Sequence, residues 1–91
     1  MIDIHPNEVR FKSYPINFKK EASGLKNNTI REIDLNDQRF IKLISWATLN
    51  EYVDKWIVII NSEHHNTSFA REIKDISFYK NFLIITWESK I

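Results

Sequence analysis

The chain has 91 residues, of which 43% are hydrophobic and 27% are charged, and it contains no cysteine. This length suits one domain with a hydrophobic core. The missing cysteines exclude disulfides, thiolate metal sites and a cysteine nucleophile. Thirteen basic and twelve acidic residues give a formal charge of +1, which excludes a strong overall attraction to polyanions. Any binding of nucleic acid must therefore depend on a local patch of positive charge.

The sequence lacks the usual features of exported and membrane proteins. Residues 1–8 have neither a basic segment nor an apolar one, and no apolar run approaches the roughly 18 residues of a membrane span. We therefore expect a cytoplasmic protein that does not enter a membrane. It should form a single domain over residues 1–91, with residues 1–8 as an N-terminal arm and residues 9–88 as the folded body.

The first elements are predicted from local signals. Residues 9–13 alternate in part and indicate an edge strand. Pro15 is typical of the first turn of a helix, and Ser13 is predicted to cap that helix. The helix should run over residues 15–23 and end at Gly24, because a left-handed residue after a helix costs glycine least.

A strand is predicted over residues 29–35. Period-2 alternation places two polar and two aliphatic side chains on one of its faces: Thr29, Arg31, Ile33 and Leu35. This pattern predicts that one end of the face lines a pocket while the other end lies in the core. Lys26, in the loop before the strand, should reach over the same opening.

The second half of the chain predicts one helix and three strands. A helix over residues 37–47, capped by Asn36 or Asp37, buries a face formed by Phe40, Leu43, Ile44 and Ala47. The apolar runs at 55–62 and 82–88 indicate central strands, and residues 68–77 form the strand between them. Trp56 and Trp87, inside these runs, are predicted to lie in the core. Because short strands leave edges exposed unless the sheet curls, we expect an α+β fold with a small, curved, mostly antiparallel β-barrel.

The spacing Gly24-x-Lys26-x-x-Thr29-x-Arg31 resembles the signature of ASCH domains, a branch of the PUA-like β-barrel superfamily. The resemblance covers about residues 9–88. It implies a PUA-like (ASCH) curved antiparallel β-barrel with two short helices.

Three further segments add to this resemblance. Residues 32–37 look like the charged stretch that follows the strand arginine of the family, and residues 68–73 look like a later barrel strand. Residues 10–15 are similar to the opening of short prophage proteins of unassigned function. The resemblance therefore also implies a phage or prophage protein.

The family resemblance implies a small module that binds RNA, a nucleotide or a modified base near Lys26, Thr29 and Arg31. Arg71 should join them, because it shares a strand face with inward-facing apolar residues. Inward arginines without enough acidic partners leave donors for an anion. The alternative is a closed structural network in which the arginines pair with carboxylates such as Glu32, Asp34 or Asp75.

An enzyme is the opposing possibility. One ASCH subgroup, similar at these positions, hydrolyses the acetyl amide of N4-acetylcytidine with a lysine, a threonine three residues later and a glutamate from a helical insertion. Lys26 and Thr29 match the first two by spacing and are weak catalytic candidates. Only residues 77–81 separate the last two strands, with no glutamate among them, so we expect little or no turnover. A third possibility is an accessory protein that binds a host protein through its barrel surface.

Two other parts of the sequence combine residue types that can bind ligands. Neighbouring residues on a turn splay apart, so His64 and His65 predict a solvated hairpin tip rather than a metal site, and no cofactor is expected. Tyr14 near Lys12, and Tyr79 beside Lys80, are the best combinations for stacking a base next to a positive charge. Packing at the rim of the core is the simpler interpretation of both tyrosines.

Overall fold

A computed structural model describes residues 7–88 of the chain. The class is α+β, as predicted, with elements in the order β1 (Glu8–Ser13), α1 (Pro15–Ser23), β2 (Asn28–Glu32), α2 (Gln38–Leu49), β3 (Trp56–Asn61), β4 (Ser68–Tyr79) and β5 (Phe82–Trp87). The N-terminal arm predicted for residues 1–8 lies mostly outside the described residues, and Glu8 already belongs to β1. Neither described helix has the length and apolarity needed to cross a bilayer.

The five strands form one mixed sheet in the order β1-β3-β4-β5-β2, curled into a half-barrel. β1 runs parallel to β3, and the other three pairings are antiparallel. The pairing of β4 with β5 shifts register between Ile73 and Asp75, a bulge that bends the strand and favours curvature. As predicted, β3 and β5 are interior strands of the sheet, whereas β1 and β2 are its two edges.

The core lies between the inner face of the sheet and the two helices. Its buried side chains are Val9, Phe11, Phe18, Phe40, Leu43, Trp46, Ile57, Ile59, Ile73, Ile76, Leu83, Ile85 and Trp87. Trp87 is 1% exposed, as predicted, but Trp56 is 37% exposed. The prediction for Trp56 is wrong because this residue begins β3 on the outward face, where its indole Nε1 donates to Asp54 Oδ1 at 3.0 Å.

The region around α1 and β2 differs from prediction at two points. Tyr14, not Ser13, occupies the N-cap position of α1, and its side chain makes no capping hydrogen bond. β2 ends at Glu32, so Leu35 lies in a loop with 66% exposure instead of in the core. The loop turns because Asp34 Oδ1 accepts a hydrogen bond from the Asn36 backbone at 3.0 Å. Gly24 adopts the predicted left-handed conformation, with φ 90°.

Helix α2 begins at the predicted cap and lies against β1. Asp37 Oδ1 accepts the Arg39 backbone N–H at 2.9 Å. Hydrogen bonds from the Arg39 side chain hold the pKa of Asp37 below its usual value. α2 continues to Leu49, two residues beyond the predicted end, before Asn50 takes the left-handed conformation.

The two tryptophans provide a direct test of the core. Trp87→Ala should lower the free energy of unfolding by about 3–5 kcal/mol, because it empties a fully buried site. Trp56→Ala should cost no more than about 2 kcal/mol, because part of this ring already contacts solvent. Urea denaturation of both variants measures the difference. Equal losses would show that Trp56 lies in the core after all.

Candidate functional site

Thr29 and Arg31 meet on the inner face of β2, as their spacing predicts. The Arg31 Nε donates to Thr29 Oγ1 at 2.9 Å, and Thr29 is 3% exposed. The two side chains share a face because they are two residues apart on a strand. The threonine hydroxyl thus fixes the direction of the guanidinium.

Arg31 also joins the two edge strands of the sheet. Its Nη1 donates to the Lys12 carbonyl at 2.9 Å, and its Nη2 donates to Ser13 Oγ at 3.1 Å. Both acceptors belong to β1, whereas Arg31 belongs to β2. We call this contact the Arg31 bridge. It spans the gap that would otherwise remain open between the ends of the curled sheet.

Within residues 7–88, two further contacts similar to the Arg31 bridge lie along the edge of β1 that does not pair with β3. Lys42 Nζ donates to the Glu8 carbonyl at 3.2 Å, and Arg39 Nη1 donates to the Arg10 carbonyl at 2.6 Å. Alternate carbonyls of a strand point to the same side, so residues 8, 10 and 12 present a row of acceptors to three cations. Such a cover protects an edge strand from pairing with another chain.

The ring of Phe11 supports two of these cations. The guanidinium carbons of Arg31 and Arg39 lie 4.9 and 4.2 Å from its centroid. Phe11 is 3% exposed and contacts Phe40 edge-on at 5.7 Å. Cation–π attraction and the packed ring therefore hold both guanidinium groups in place at the surface.

Two depressions meet at the Arg31 bridge, and both are lined by Lys12 and Arg31. One, of about 470 Å³, extends toward the start of β1 and is also lined by Arg10, Phe11, Arg39 and Ile60. The other, of about 410 Å³, extends toward α1 and is also lined by Ser13, Tyr14, Asn17, Ile30 and Ser62. Together they form what we call the β1 groove.

The β1 groove carries more positive than negative charge. Arg10 pairs with Glu8, and Arg39 pairs with Asp37. Within residues 7–88, neither Lys12 nor Arg31 has a carboxylate at ion-pair distance.

The burial of Arg31 does not remove its positive charge. Burial lowers the pKa of Arg31, the charge of Glu21 opposes this effect, and Arg39 adds to it. A guanidinium still keeps its proton at any ordinary pH.

Lys26 lies beside a carboxylate that the sequence analysis did not identify. Its Nζ is 3.3 Å from Glu21 Oε2, and Glu21 is 1% exposed. The other oxygen of this carboxylate, Oε1, has no hydrogen-bond partner in the described part of the chain. The signal was available, because Glu21 follows the core residue Phe18 at i+3 and therefore shares its helix face.

Arg71 does not join the other predicted site residues. Its Nη1 and Nη2 donate to the carbonyls of Ala70 and Ala22 at 2.9 and 3.2 Å, and its guanidinium carbon lies 4.7 Å from the Phe69 centroid. It lines a separate depression of about 160 Å³ with Trp56, Ala70, Glu72, Lys74 and Glu88. The Arg71 side chain thus turns toward α1, as expected for an inward-facing position on β4. It lies at a different depression from Lys26, Thr29 and Arg31.

The alternative expectation, a closed network in which Arg31 and Arg71 pair with carboxylates, is not met among residues 7–88. Glu32 accepts instead from Asn81 Nδ2 at 2.9 Å, and Asp34 caps its own loop. Arg31 reaches neutral oxygens in place of carboxylates. Its structural role is therefore established by geometry, while a role for Lys26, Thr29, Arg31 and Arg71 in ligand binding stays a prediction.

The other predicted clusters are at the surface. His65 Nε2 contacts the Ser62 carbonyl at 2.9 Å, and no group of metal-ligating side chains occurs within residues 7–88. Tyr79 lies with its ring 5.4 Å from Lys80 Nζ and is 62% exposed. Tyr14 is 77% exposed and is the aromatic residue that the β1 groove presents to solvent.

No family model matches the chain, and none of the curated proteins matches it. The resemblance of residues 24–31 to the ASCH signature therefore stays a prediction.

Removal of the Arg31 bridge should destabilise the fold. We expect Arg31→Ala to lower the free energy of unfolding by roughly 2–4 kcal/mol, because three charge-assisted hydrogen bonds are lost. Arg31→Lys should recover less than half of this loss, since one ammonium cannot reach all three acceptors. Arg10→Ala is the matched control, because an exposed ion pair contributes about 0–1 kcal/mol. Urea denaturation that gives equal stabilities for Arg31→Ala and Arg10→Ala would contradict the bridge.

Proposed function

We propose that the protein is a small PUA-like module that binds RNA or a nucleotide along the β1 groove. The observation that supports this proposal best is the local excess of positive charge. The groove gathers Arg10, Lys12, Arg31 and Arg39, and the ion pairs of Arg10 and Arg39 neutralise only half of it. A phosphate is the ligand whose charge and oxygens fit such a set of donors.

The geometry of Arg31 favours an anion over a neutral ligand. Three of its five N–H groups are used by Thr29, Lys12 and Ser13. The remaining two belong to a guanidinium that is already fixed in position. Binding of a ligand therefore does not carry the entropic cost of ordering this side chain. The bridge that stabilises the fold thus also prepares a donor pair for a phosphate.

The near-neutral charge of the whole chain limits how the module can bind. A formal +1 gives no long-range attraction to a polyanion. Binding must therefore engage a few phosphates at one place, and it should be moderate and dependent on salt. This is the behaviour of a module for short or single-stranded ligands rather than of a protein that coats duplexes.

Lys12 allows a test that leaves the fold intact, because its side chain is exposed and only its backbone joins the Arg31 bridge. We expect wild type to bind an oligouridylate of about four nucleotides, with an affinity that falls as salt rises. In Lys12→Ala the slope of log affinity against log salt should decrease by about 0.7, the value for one phosphate contact with a single strand.

Lys74→Ala is the control for Lys12→Ala, since Lys74 is an exposed lysine of the separate depression on β4. It should leave the salt dependence unchanged. No binding by wild type, or equal effects of the two substitutions, would refute the proposal.

A second candidate function is hydrolysis of an acylated amine such as N4-acetylcytidine. The observation that favours it is the contact between Lys26 and Glu21, which offers a carboxylate where the loop between β4 and β5 has none. Glu21 could move a proton while water attacks the acetyl carbon and the amine leaves with that proton. Against this function, no hydrogen bond within the described residues joins Lys26 to Thr29, whose hydroxyl accepts from Arg31.

Acetate release from N4-acetylcytidine tests this second function. If it operates, wild type releases acetate, and both Glu21→Gln and Lys26→Ala abolish the release because each removes one partner of the pair. Lys12→Ala, outside the pair, should retain the activity. Wild-type protein that leaves the substrate intact would reject hydrolysis of N4-acetylcytidine.

A further inference from the structure

Tyr14 presents an aromatic ring to solvent from a rigid backbone. Its carbonyl accepts the Phe18 N–H at 2.8 Å in the first turn of α1, and Pro15 follows it. The ring is 77% exposed, and within residues 7–88 it has no aromatic neighbour or hydrogen bond. An exposed ring held by a fixed backbone can stack on a ligand at little cost in conformational entropy.

The surroundings of Tyr14 suit a base. The part of the β1 groove nearest α1 combines this ring with the aliphatic side chain of Ile30, which is 57% exposed, and with the amide of Asn17. A base needs apolar surface for its faces and polar groups for its edge. Lys12 and Arg31 lie at the boundary with the second part of the groove, where a phosphate would follow the base.

We propose that the β1 groove binds single-stranded nucleic acid, with one base stacked on Tyr14 and the adjoining phosphate on Lys12 and Arg31. This inference rests on the proposed function and specifies its ligand. A single strand is required because the faces of bases within a duplex are already stacked. From Arg10 to Tyr14 the chain advances by roughly 13 Å, so the groove has the length to contact more than one nucleotide of a short strand.

An abasic comparison separates stacking from attraction to phosphate. Wild type should bind an oligouridylate of about four nucleotides more tightly than an abasic strand of the same length. The expected difference is roughly five- to a hundredfold, which is the contribution of one stacked base to affinity. In Tyr14→Leu the two strands should bind equally, at the affinity of wild type for the abasic strand. Tyr14→Phe should keep the preference, because the hydroxyl has no part in stacking.

Tyr79→Leu is the matched control, since Tyr79 is a similarly exposed tyrosine beside a lysine and does not line the β1 groove. It should keep the wild-type preference. An oligothymidylate of deoxyribose tests whether the sugar matters, and the loss of preference in Tyr14→Leu with either sugar supports stacking.

The outcomes distinguish this inference from the proposed function. If wild type binds the base-containing and abasic strands equally, or if Tyr14→Leu keeps the preference, stacking on Tyr14 is wrong while phosphate binding stands. If wild type binds neither strand, the proposed function itself fails. A duplex that binds as tightly as the single strand would also overturn stacking.

Discussion

The fold depends on one arginine that spans the two ends of a curled sheet. β1 and β2 are edge strands, and Arg31 connects them through the Lys12 carbonyl and the Ser13 hydroxyl. An open edge attracts other chains, and this protein covers its β1 edge with cationic side chains instead of another strand. Because carbonyls are neutral acceptors, these contacts do not themselves compensate the charge of the cations, and among the described cations of the cover Arg39 is paired with Asp37 while Arg31 has no carboxylate at ion-pair distance. The closure of this edge thus contributes to the positive charge of the groove.

The same arrangement allows the stability of the fold to be tested separately from the proposed binding. Arg31 holds the fold through its bonds to Thr29 and β1, and its remaining donors, which the proposal assigns to a ligand, face no acid among the described residues. Lys12 contributes to the fold through its backbone alone, so its side chain is available to a ligand. Tyr14 is similar, because its carbonyl begins α1 while its ring is exposed. Residues whose side chains make no structural contact are therefore better probes of the proposed function than the arginine between them.

The sequence predicts the elements of this structure better than it predicts their faces. Alternation, the cap at Asp37 and the glycine at position 24 indicate the strands and helices to within a few residues. The unbroken apolar run of β3 has no alternation to show which side is inward, so Trp56 could not be assigned correctly. Arg71 points inward as expected. Alternation predicts which face of the sheet a side chain lies on, but it does not predict where on the curved sheet that side chain lies relative to Arg31. The bridge joins residues 19 apart through a side chain, which no local pattern contains.

Glu21 connects the buried interior with the groove through its charge. This carboxylate is 1% exposed, is paired with Lys26 and raises the pKa of Arg31 against the effect of burial. A buried negative charge beside a partly buried arginine offsets part of the cost of taking that arginine out of water. It also reduces the positive potential that a phosphate would meet at Arg31. Lys26 is itself partly exposed and also neutralises Glu21. The positive potential at Arg31 therefore depends on how the charge of Glu21 is divided between Lys26 and Arg31. The lysine and the arginine of the Gly24–Arg31 segment therefore act on the same carboxylate, although they do not touch each other.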